Sequence, residues 1–449
     1  MKYILPFLSI AAVLVFTSCK EDEMTEPGNS EPQVNPTGNI TEVRNFGGSK
    51  NESGESIVST QDGGFAILGY TQSNNGDISD KPDDSFSFWL LKFDENNTLE
   101  WERTYGGTLD DRGADLVTTQ DGGYIITGYV SSSDGDISTN GGNQDFWIAK
   151  LNASGNLLWE KSFGYSGSDR AYSIINTQDN GVLVTGVLDV SASGGLGNIT
   201  QQTNTLHAGG DYWAIKLSSN GTKEWSKYFG GNLSDDPFGV AQTEDGNFIL
   251  VGSSDSTDVD ITNNKGSYDY WIISISNTGI LQWEKSFGGA EIDEARGISK
   301  TSDGNFIIIG NTRSDDQDIS TNHGASDIWM IKINKHGDML WEKNIGGTGF
   351  DIAYNIKPSN SGFIISGASR SQNIDVSENN GQNDALIANI DDNGNIVWLS
   401  TVGGSNEDLA YDVTQLNNGE IMATGETTSN DIDLNNNKGF TDLLLIRIQ

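Results

Sequence analysis

From about residue 40 the chain cycles through four kinds of short apolar segment, seen most plainly between Gly106 and Phe163. Ala114–Thr118 is short and mixed. Tyr124–Val130 is apolar at nearly every position, Phe146–Leu151 is again mostly apolar, and in Leu157–Phe163 the residues Leu157, Trp159 and Phe163 alternate with Leu158, Glu160 and Ser162. A continuous apolar run reads as a strand buried on both faces, and strict alternation as a strand buried on one. Asp121-Gly122-Gly123 and Asn152–Gly155 supply turn chemistry between them. No segment has helical periodicity, so the cycle predicts four antiparallel strands with an exposed outermost one.

The cycle repeats. Glycine doublets open six units, at Gly47-Gly48, Gly106-Gly107, Gly230-Gly231, Gly288-Gly289, Gly346-Gly347 and Gly403-Gly404, and Gly164-Tyr165 opens a seventh. Successive starts lie 59, 58, 66, 58, 58 and 57 residues apart. Four strands per unit at a period near 60 predict an all-β fold, a seven-bladed β-propeller. The last unit ends at Gln449 after its third strand, and Ile40–Phe46 carries the register of the missing fourth. The N-terminal strand is therefore expected to close the last blade and remove the open edges, although Glu42 stands where other units have tryptophan. All eleven tryptophans lie in the repeat. Trp89, Trp147, Trp213, Trp271 and Trp329 share a third-strand slot; Trp101, Trp159, Trp225, Trp283, Trp341 and Trp398 share a fourth-strand slot. Residues repeated blade after blade are expected to be packing pegs.

The first residues follow a different pattern. Lys2 precedes an apolar run over Ile4–Phe16, then Thr17-Ser18-Cys19, with Cys19 the sole cysteine. This reads as a secretory signal over 1–18, too short for a membrane span. It resembles a bacterial lipobox, which implies lipidation at Cys19 and anchoring in a membrane by its acyl chains. Residues 19–39, acidic at first and then rich in Pro, Asn, Glu and Gly, read as a flexible tether, leaving 40–449 for the propeller. Lys20-Glu21-Asp22-Glu23 resembles the signal that sends Bacteroidota lipoproteins to the outer face of the outer membrane; a solvated linker is the plainer reading.

Charge narrows the partners. With 63 acidic and 26 basic residues the net charge is −37, which disfavours nucleic acid and anionic membrane surfaces. The three histidines, His207, His323 and His336, have no metal-ligand spacing, and no Gly-x-Ser-x-Gly, phosphate-binding or dinucleotide signature appears in context. No catalytic residue is singled out. Acidic side chains recur in two loop sets expected on one face: Glu52, Asp111, Asp169, Asp235, Asp293, Asp351 and Asp408, and then Asp77, Asp136, Asp260, Asp318, Asp375 and Asp433, with Asn198 in the third unit. In five units of the second set an Asp is followed by a hydroxyl or amide, an Asn and a second Asp; the first unit places Lys81 at the Asn position and the third starts with Asn198, so those two are not expected to bind a cation. These oxygens are Asp136, Ser138, Asn140 and Asp145; Asp260, Thr262, Asn264 and Asp269; Asp318, Ser320, Asn322 and Asp327; with Asp375–Asp384 and Asp433–Asp442 alike. Oxygens at loop positions 1, 3 and 5 suit a hard cation, so calcium is the cofactor these loops would take, and none other is expected. The same residues suit Asx turns and strand caps. The third unit also carries about eight extra residues within Ser191–His207, where function tends to collect.

The recurring Thr119-Gln120-Asp121-Gly122-Gly123-Tyr124, Gly135-Asp136-Ile137-Ser138 and Asp145-Phe146-Trp147 resemble the repeat of propeller lipoproteins of Bacteroidota. Asn152–Trp159 is more faintly similar to the turn-and-tryptophan motif of quinoprotein-type propellers, and the acidic loops to the calcium loops of integrin-type propellers. The resemblance implies a fold and a compartment, and little chemistry. Together with the missing catalytic signatures it gives a surface-exposed, outer-membrane lipoprotein that binds a glycan or a protein without catalysis. A polysaccharide hydrolase or lyase, and a periplasm-facing assembly scaffold, are the alternatives.

Overall fold

A computed structural model describes residues 38–193 and 207–449. Cys19, the signal and most of the tether, Asn198 and most of the third-unit insertion lie outside them.

The described residues form seven four-stranded antiparallel sheets. In the second blade the strands are Asp111–Thr118, Tyr124–Val130, Asp145–Leu151 and Leu157–Phe163, paired in that order. The second and third strands are buried almost throughout, and the fourth only in part, as the apolar patterning predicts. The seventh blade takes its fourth strand from the other end of the chain. Ile40–Phe46 lies antiparallel to Asp442–Ile448, with Phe46 opposite Leu443 and Val43 opposite Ile446. Paired backbone bonds between Asn39 and Gln449 of 3.0 and 2.9 Å finish this seam.

The core is divided among the blade junctions. One cluster joins Leu68 and Phe88 of blade one to Ile126 and Trp147 of blade two, and equivalents follow round the ring. Four of the five third-strand tryptophans are buried against an aromatic of the preceding blade: Phe88 on Trp147, Phe146 on Trp213, Tyr212 on Trp271 and Tyr270 on Trp329, with centroids 4.6–4.9 Å apart. Such pairs add about 0.5–1.5 kcal/mol beyond area burial. The indole N–H of Trp147 reaches Glu160 on the fourth strand at 3.0 Å. In blade three Ser226 replaces that glutamate, and the Trp213 N–H has no partner.

The fourth-strand tryptophans do a second job. Trp159, Trp225, Trp283 and Trp341 each cover a left-handed turn glycine of the next blade: Gly221, Gly279, Gly337 and Gly394. A side chain at any of them would press into the indole at about 3 Å. Trp101 covers Gly155 and Trp398 covers Gly38 in the same way. The departure at Glu42 is then coherent. Where Glu42 replaces the tryptophan, Asn97 (φ 63°) replaces the glycine, and its amide donates to Glu42 at 2.6 Å.

Candidate functional site: the axial chamber

The innermost strand of every blade contains a β-bulge. Pairing with the second strand skips one residue between Gly54 and Ser56, Gly113 and Asp115, Ala171 and Ser173, Pro237 and Gly239, Ala295 and Gly297, Ala353 and Asn355, and Ala410 and Asp412. A bulge inserts a residue that cannot join the ladder and re-aims its side chain, and bulges are over-represented beside active sites. The seven extra residues are Glu55, Ala114, Tyr172, Phe238, Arg296, Tyr354 and Tyr411, and all seven line one cavity of ≈ 650 Å³ bounded by the first strands. That volume lies in the range of small-molecule sites.

The chamber wall is aromatic and polarised. Tyr172 and Phe238 stack with centroids 5.5 Å apart and planes 25° apart, and Tyr354 meets Tyr411 edge-on at 5.0 Å. The Arg296 guanidinium lies 4.2 Å from the Phe238 ring centre and pairs with Glu294 at 3.3 Å. On the opposite blades stands Glu55, which Ser53 hydrogen bonds at 2.6 Å. Burial pushes its carboxyl up to about 7, with Ser53 pulling it down and the nearby Glu426 adding to the rise.

One residue further along each inner strand, a polar belt ties blades together below this wall. Asp115 accepts from Ser56 at 2.8 Å, Ser173 at 3.2 Å and the Ile174 N–H at 2.8 Å. Asp412 accepts from Ser56 at 3.0 Å, the Ile57 N–H at 2.9 Å and Asn355 at 2.8 Å. Lys357 lies 3.8 Å from Asp412. Burial works against its charge, but Asp412 and Asp115 hold the ammonium above its usual range. The belt runs through five blades and stops at Gly239 and Gly297. Asp115 and Asp412 are thus already committed to backbone and lysine, whereas Glu55, Arg296 and the tyrosines face the cavity.

The two acidic loop sets have another task. The first set is buried and holds the N–H of the second residue of each opening doublet: Asp111 to Gly107 at 2.7 Å, Asp293 to Gly289 at 2.7 Å and Asp408 to Gly404 at 2.8 Å, for example. The second set holds the first: Asp77 to Gly47 at 2.8 Å, Asp136 to Gly106 at 3.2 Å, Asp260 to Gly230 at 3.2 Å and Asp318 to Gly288 at 3.1 Å. They clamp the crossings between blades.

Within each candidate calcium loop the side chains that form hydrogen bonds go to separate partners. Asp136 takes Gly106; Ser138 bonds Glu160 at 2.6 Å; Asn140 donates to the Val130 carbonyl at 3.0 Å; Asp145 accepts from the Gly141 N–H at 2.6 Å. Thr262 reaches Glu284 at 2.5 Å, Asn264 the Ser254 carbonyl at 2.8 Å, and Asp269 the Lys265 N–H at 2.5 Å. Asn322 donates to the Thr312 carbonyl at 3.5 Å, Asp327 accepts from the His323 N–H at 2.8 Å, and Ser320 is exposed. The loop brings its aspartates to different blade crossings rather than to one point. Among the described residues, no three acidic, histidine or cysteine side chains are already closed round a common centre.

Sequence reasoning passed over the chamber residues because their strand is short and mixed. The signal is present all the same: each stands seven residues after the second member of the opening doublet. At that column Glu, Ala, Tyr, Phe, Arg, Tyr and Tyr follow one another, preceded by Gly, Ala or Pro and followed two residues on by Ile, Leu or Val in every blade.

No protein-family profile matches the chain, and no curated protein is detectably similar to it. Solved structures are similar to the chain at low identity. A protein of unknown function from Bacteroides caccae is 10% identical, covers 75% of this chain and 93% of its own, and has a TM-score of 0.41. The WD40 domain of Neurospora crassa Pan2 is 9% identical over 90% of this chain and 97% of its own, with a TM-score of 0.46. A putative 6-phosphogluconolactonase from Bacteroides fragilis is 11% identical over 80% and 85%, with a TM-score of 0.42. Fold, blade count and the bulge-lined chamber are therefore read from this chain's own residues.

Proposed function

We propose that the protein is a lipid-anchored binding propeller of the outer bacterial surface that takes a glycan in its axial chamber without transforming it. The observation that carries this reading is the convergence of the seven bulge residues, which differ in kind from blade to blade, on one cavity. Aromatic rings of Tyr172 and Tyr354 suit the apolar faces of sugar rings, and Arg296, Glu55 and Lys357 supply donors and acceptors for hydroxyls. Cys19 and the acidic run after it support the anchor and the surface location, and the net charge of −37 argues against nucleic acid.

A screen of the full-length protein against an oligosaccharide array tests the binding. The wild type is expected to retain at least one saccharide class that Tyr354→Ala and Arg296→Ala lose. Retention unchanged in both variants removes the chamber from the account. Cys19→Ala is expected to move the protein out of the membrane fraction; unchanged partition contradicts the anchor.

One observation favours a second reading. A carboxyl pushed up to about 7, as at Glu55, is suited to deliver a proton to a leaving group. A hydrolase would release shorter saccharides from the bound class and lose that activity in Glu55→Gln; the binding reading expects no release from the wild type.

A further inference from the structure

The axial chamber carries the opposite charge balance to the rest of the protein. Over the whole chain acidic residues outnumber basic ones, 63 to 26. In the chamber wall the basic residues Arg296, Lys300 and Lys357 stand against two acids, Glu55 and Asp115. The cations come from the first strands of blades five and six, Asp293–Lys300 and Asp351–Ser359, and the acids from those of blades one and two. The wall is therefore dipolar, with its positive side on two neighbouring blades.

The two acids oppose an anion weakly. Asp115 is spent in the belt, accepting from Ser56, Ser173 and the N–H groups of Ile174 and Leu116. Burial pushes the Glu55 carboxyl up to about 7, so near neutrality it carries a proton for much of the time. The cations, by contrast, keep donors in reserve. Among the described residues the Arg296 guanidinium donates only to Glu294, at 3.3 Å, and its Nε has no partner; a guanidinium has five N–H groups to give. The Phe238 ring 4.2 Å away supports it. The Lys357 ammonium stands 3.8 Å from Asp412, too far for a hydrogen bond. Asp412 already accepts from Ser56, Asn355 and the N–H groups of Ile57 and Val413. Lys300 pairs at 3.1 Å with the exposed Glu244, a surface pair that holds weakly. Glu294, Glu244 and Asp412 all stand outside the cavity wall.

We propose that the saccharide taken by the chamber is acidic, with a uronate carboxylate lodged against Arg296 and Lys357 and its sugar ring on Tyr354. The inference rests on the glycan reading of the chamber and adds the charge of the ligand. A guanidinium presents paired N–H donors that match the two oxygens of a carboxylate. Tyr354 lies three residues before Lys357 on the same strand, so ring and carboxylate meet one blade. Lys300 ends the blade-five strand and extends the positive side beyond Arg296. The net charge of −37 does not decide against an anion here. Salt screens exposed charges beyond about 8 Å at physiological ionic strength, so the groups of the wall govern what enters.

Titration calorimetry of the full-length protein tests this with trisaccharides of galacturonate, glucuronate, mannuronate and guluronate, each beside its methyl ester. Esterification keeps the ring and removes the charge. At least one acid is expected to bind about tenfold or more tighter than its ester, the margin of one charge-assisted hydrogen bond, and to weaken as salt is raised. Arg296→Gln, which keeps a donor, should cut the affinity of that acid by about tenfold and leave its ester little changed. Lys300→Gln should weaken the acid by less, and again not the ester. Should Arg296→Gln not fold, Lys300→Gln and the wild-type ratio of acid to ester decide. Binding in which no acid exceeds its ester overturns the acidic ligand while leaving the glycan chamber standing, as does a neutral or sulfated saccharide bound in preference to every uronate. Acid binding unchanged in both variants overturns it as well. No heat with any acid, ester or neutral saccharide overturns both readings.

Discussion

Removing the seam that joins the chain ends should unfold the propeller out of proportion to the few residues involved. Phe46 is buried, and its ring packs edge-on to Phe93 of blade one at 5.4 Å. Arg44 lies 4.6 Å from the Phe46 ring centre and donates to the Asn97 carbonyl at 2.7 Å. Truncating a buried phenylalanine costs about 3–5 kcal/mol. Losing the Arg44 contacts adds about 2 kcal/mol, from a charge-assisted bond and a ring contact. Deleting Ile40–Phe46 forfeits both, together with the ladder from Ile40–Ile448 to Phe46–Leu443. The total reaches the 5–15 kcal/mol that separates most folded domains from their unfolded chains, so roughly nothing is left to hold the ring. It also bares Asp442–Ile448 as an open edge. Urea unfolding of the full-length protein, followed by tryptophan fluorescence, gives the magnitudes. Phe46→Ala should lower stability by ~3–5 kcal/mol, the exposed Thr41→Ala by under about 0.5 kcal/mol, and the strand deletion should leave no cooperative transition. A deletion variant with the wild-type midpoint would refute closure by this strand.

Two further outcomes follow from the crossings and the tryptophan clamps. Burial pushes Asp235 up to about 8 and Asp269 up to about 7, with Asp211 and Asp293 adding to the respective rises. Between the ordinary carboxylate value of about 4 and these values the folded chain holds protons that the unfolded chain has released. Stability should therefore fall as pH rises from about 4 to 8, and Asp235→Asn should flatten the upper part of the melting curve against pH; an unchanged profile contradicts the burial argument. At the closing seam, Glu42→Trp alone should destabilise by about 1 kcal/mol or more, because Asn97 stands where other blades place glycine. Adding Asn97→Gly should restore most of it, a coupling of about 1 kcal/mol or more; additive losses would show that the two positions are independent.

The fold was legible because its rules repeat. Tyr124–Val130 and Phe146–Leu151 declare double-sided burial in their own composition, and Leu157–Phe163 declares a half-exposed edge. The glycine doublets carry the period, and Ile40–Phe46 carries the register of a missing strand. The site was less legible for a physical reason. A bulge leaves no mark on hydrophobic alternation in a strand as short and mixed as Ala114–Thr118, so nothing in the pattern says that Tyr172, Arg296 and Tyr354 point inward. Loop spacing also misleads about neighbours. Asp375 and Asp384 are nine residues apart in one loop, yet they serve crossings on opposite sides of blade six, because distances across a blade are set by the sheet and not by the chain.

The central claim is that the ligand is held by the bulge residues on the axis. A crystal structure of the full-length protein with a saccharide retained on the array tests it most directly. The account predicts density for the sugar inside the chamber, against Tyr172 or Tyr354 and within hydrogen-bond reach of Arg296 or Glu55. Density confined to the outer loops or to the fourth-strand tryptophans, with the chamber holding water alone, would contradict it.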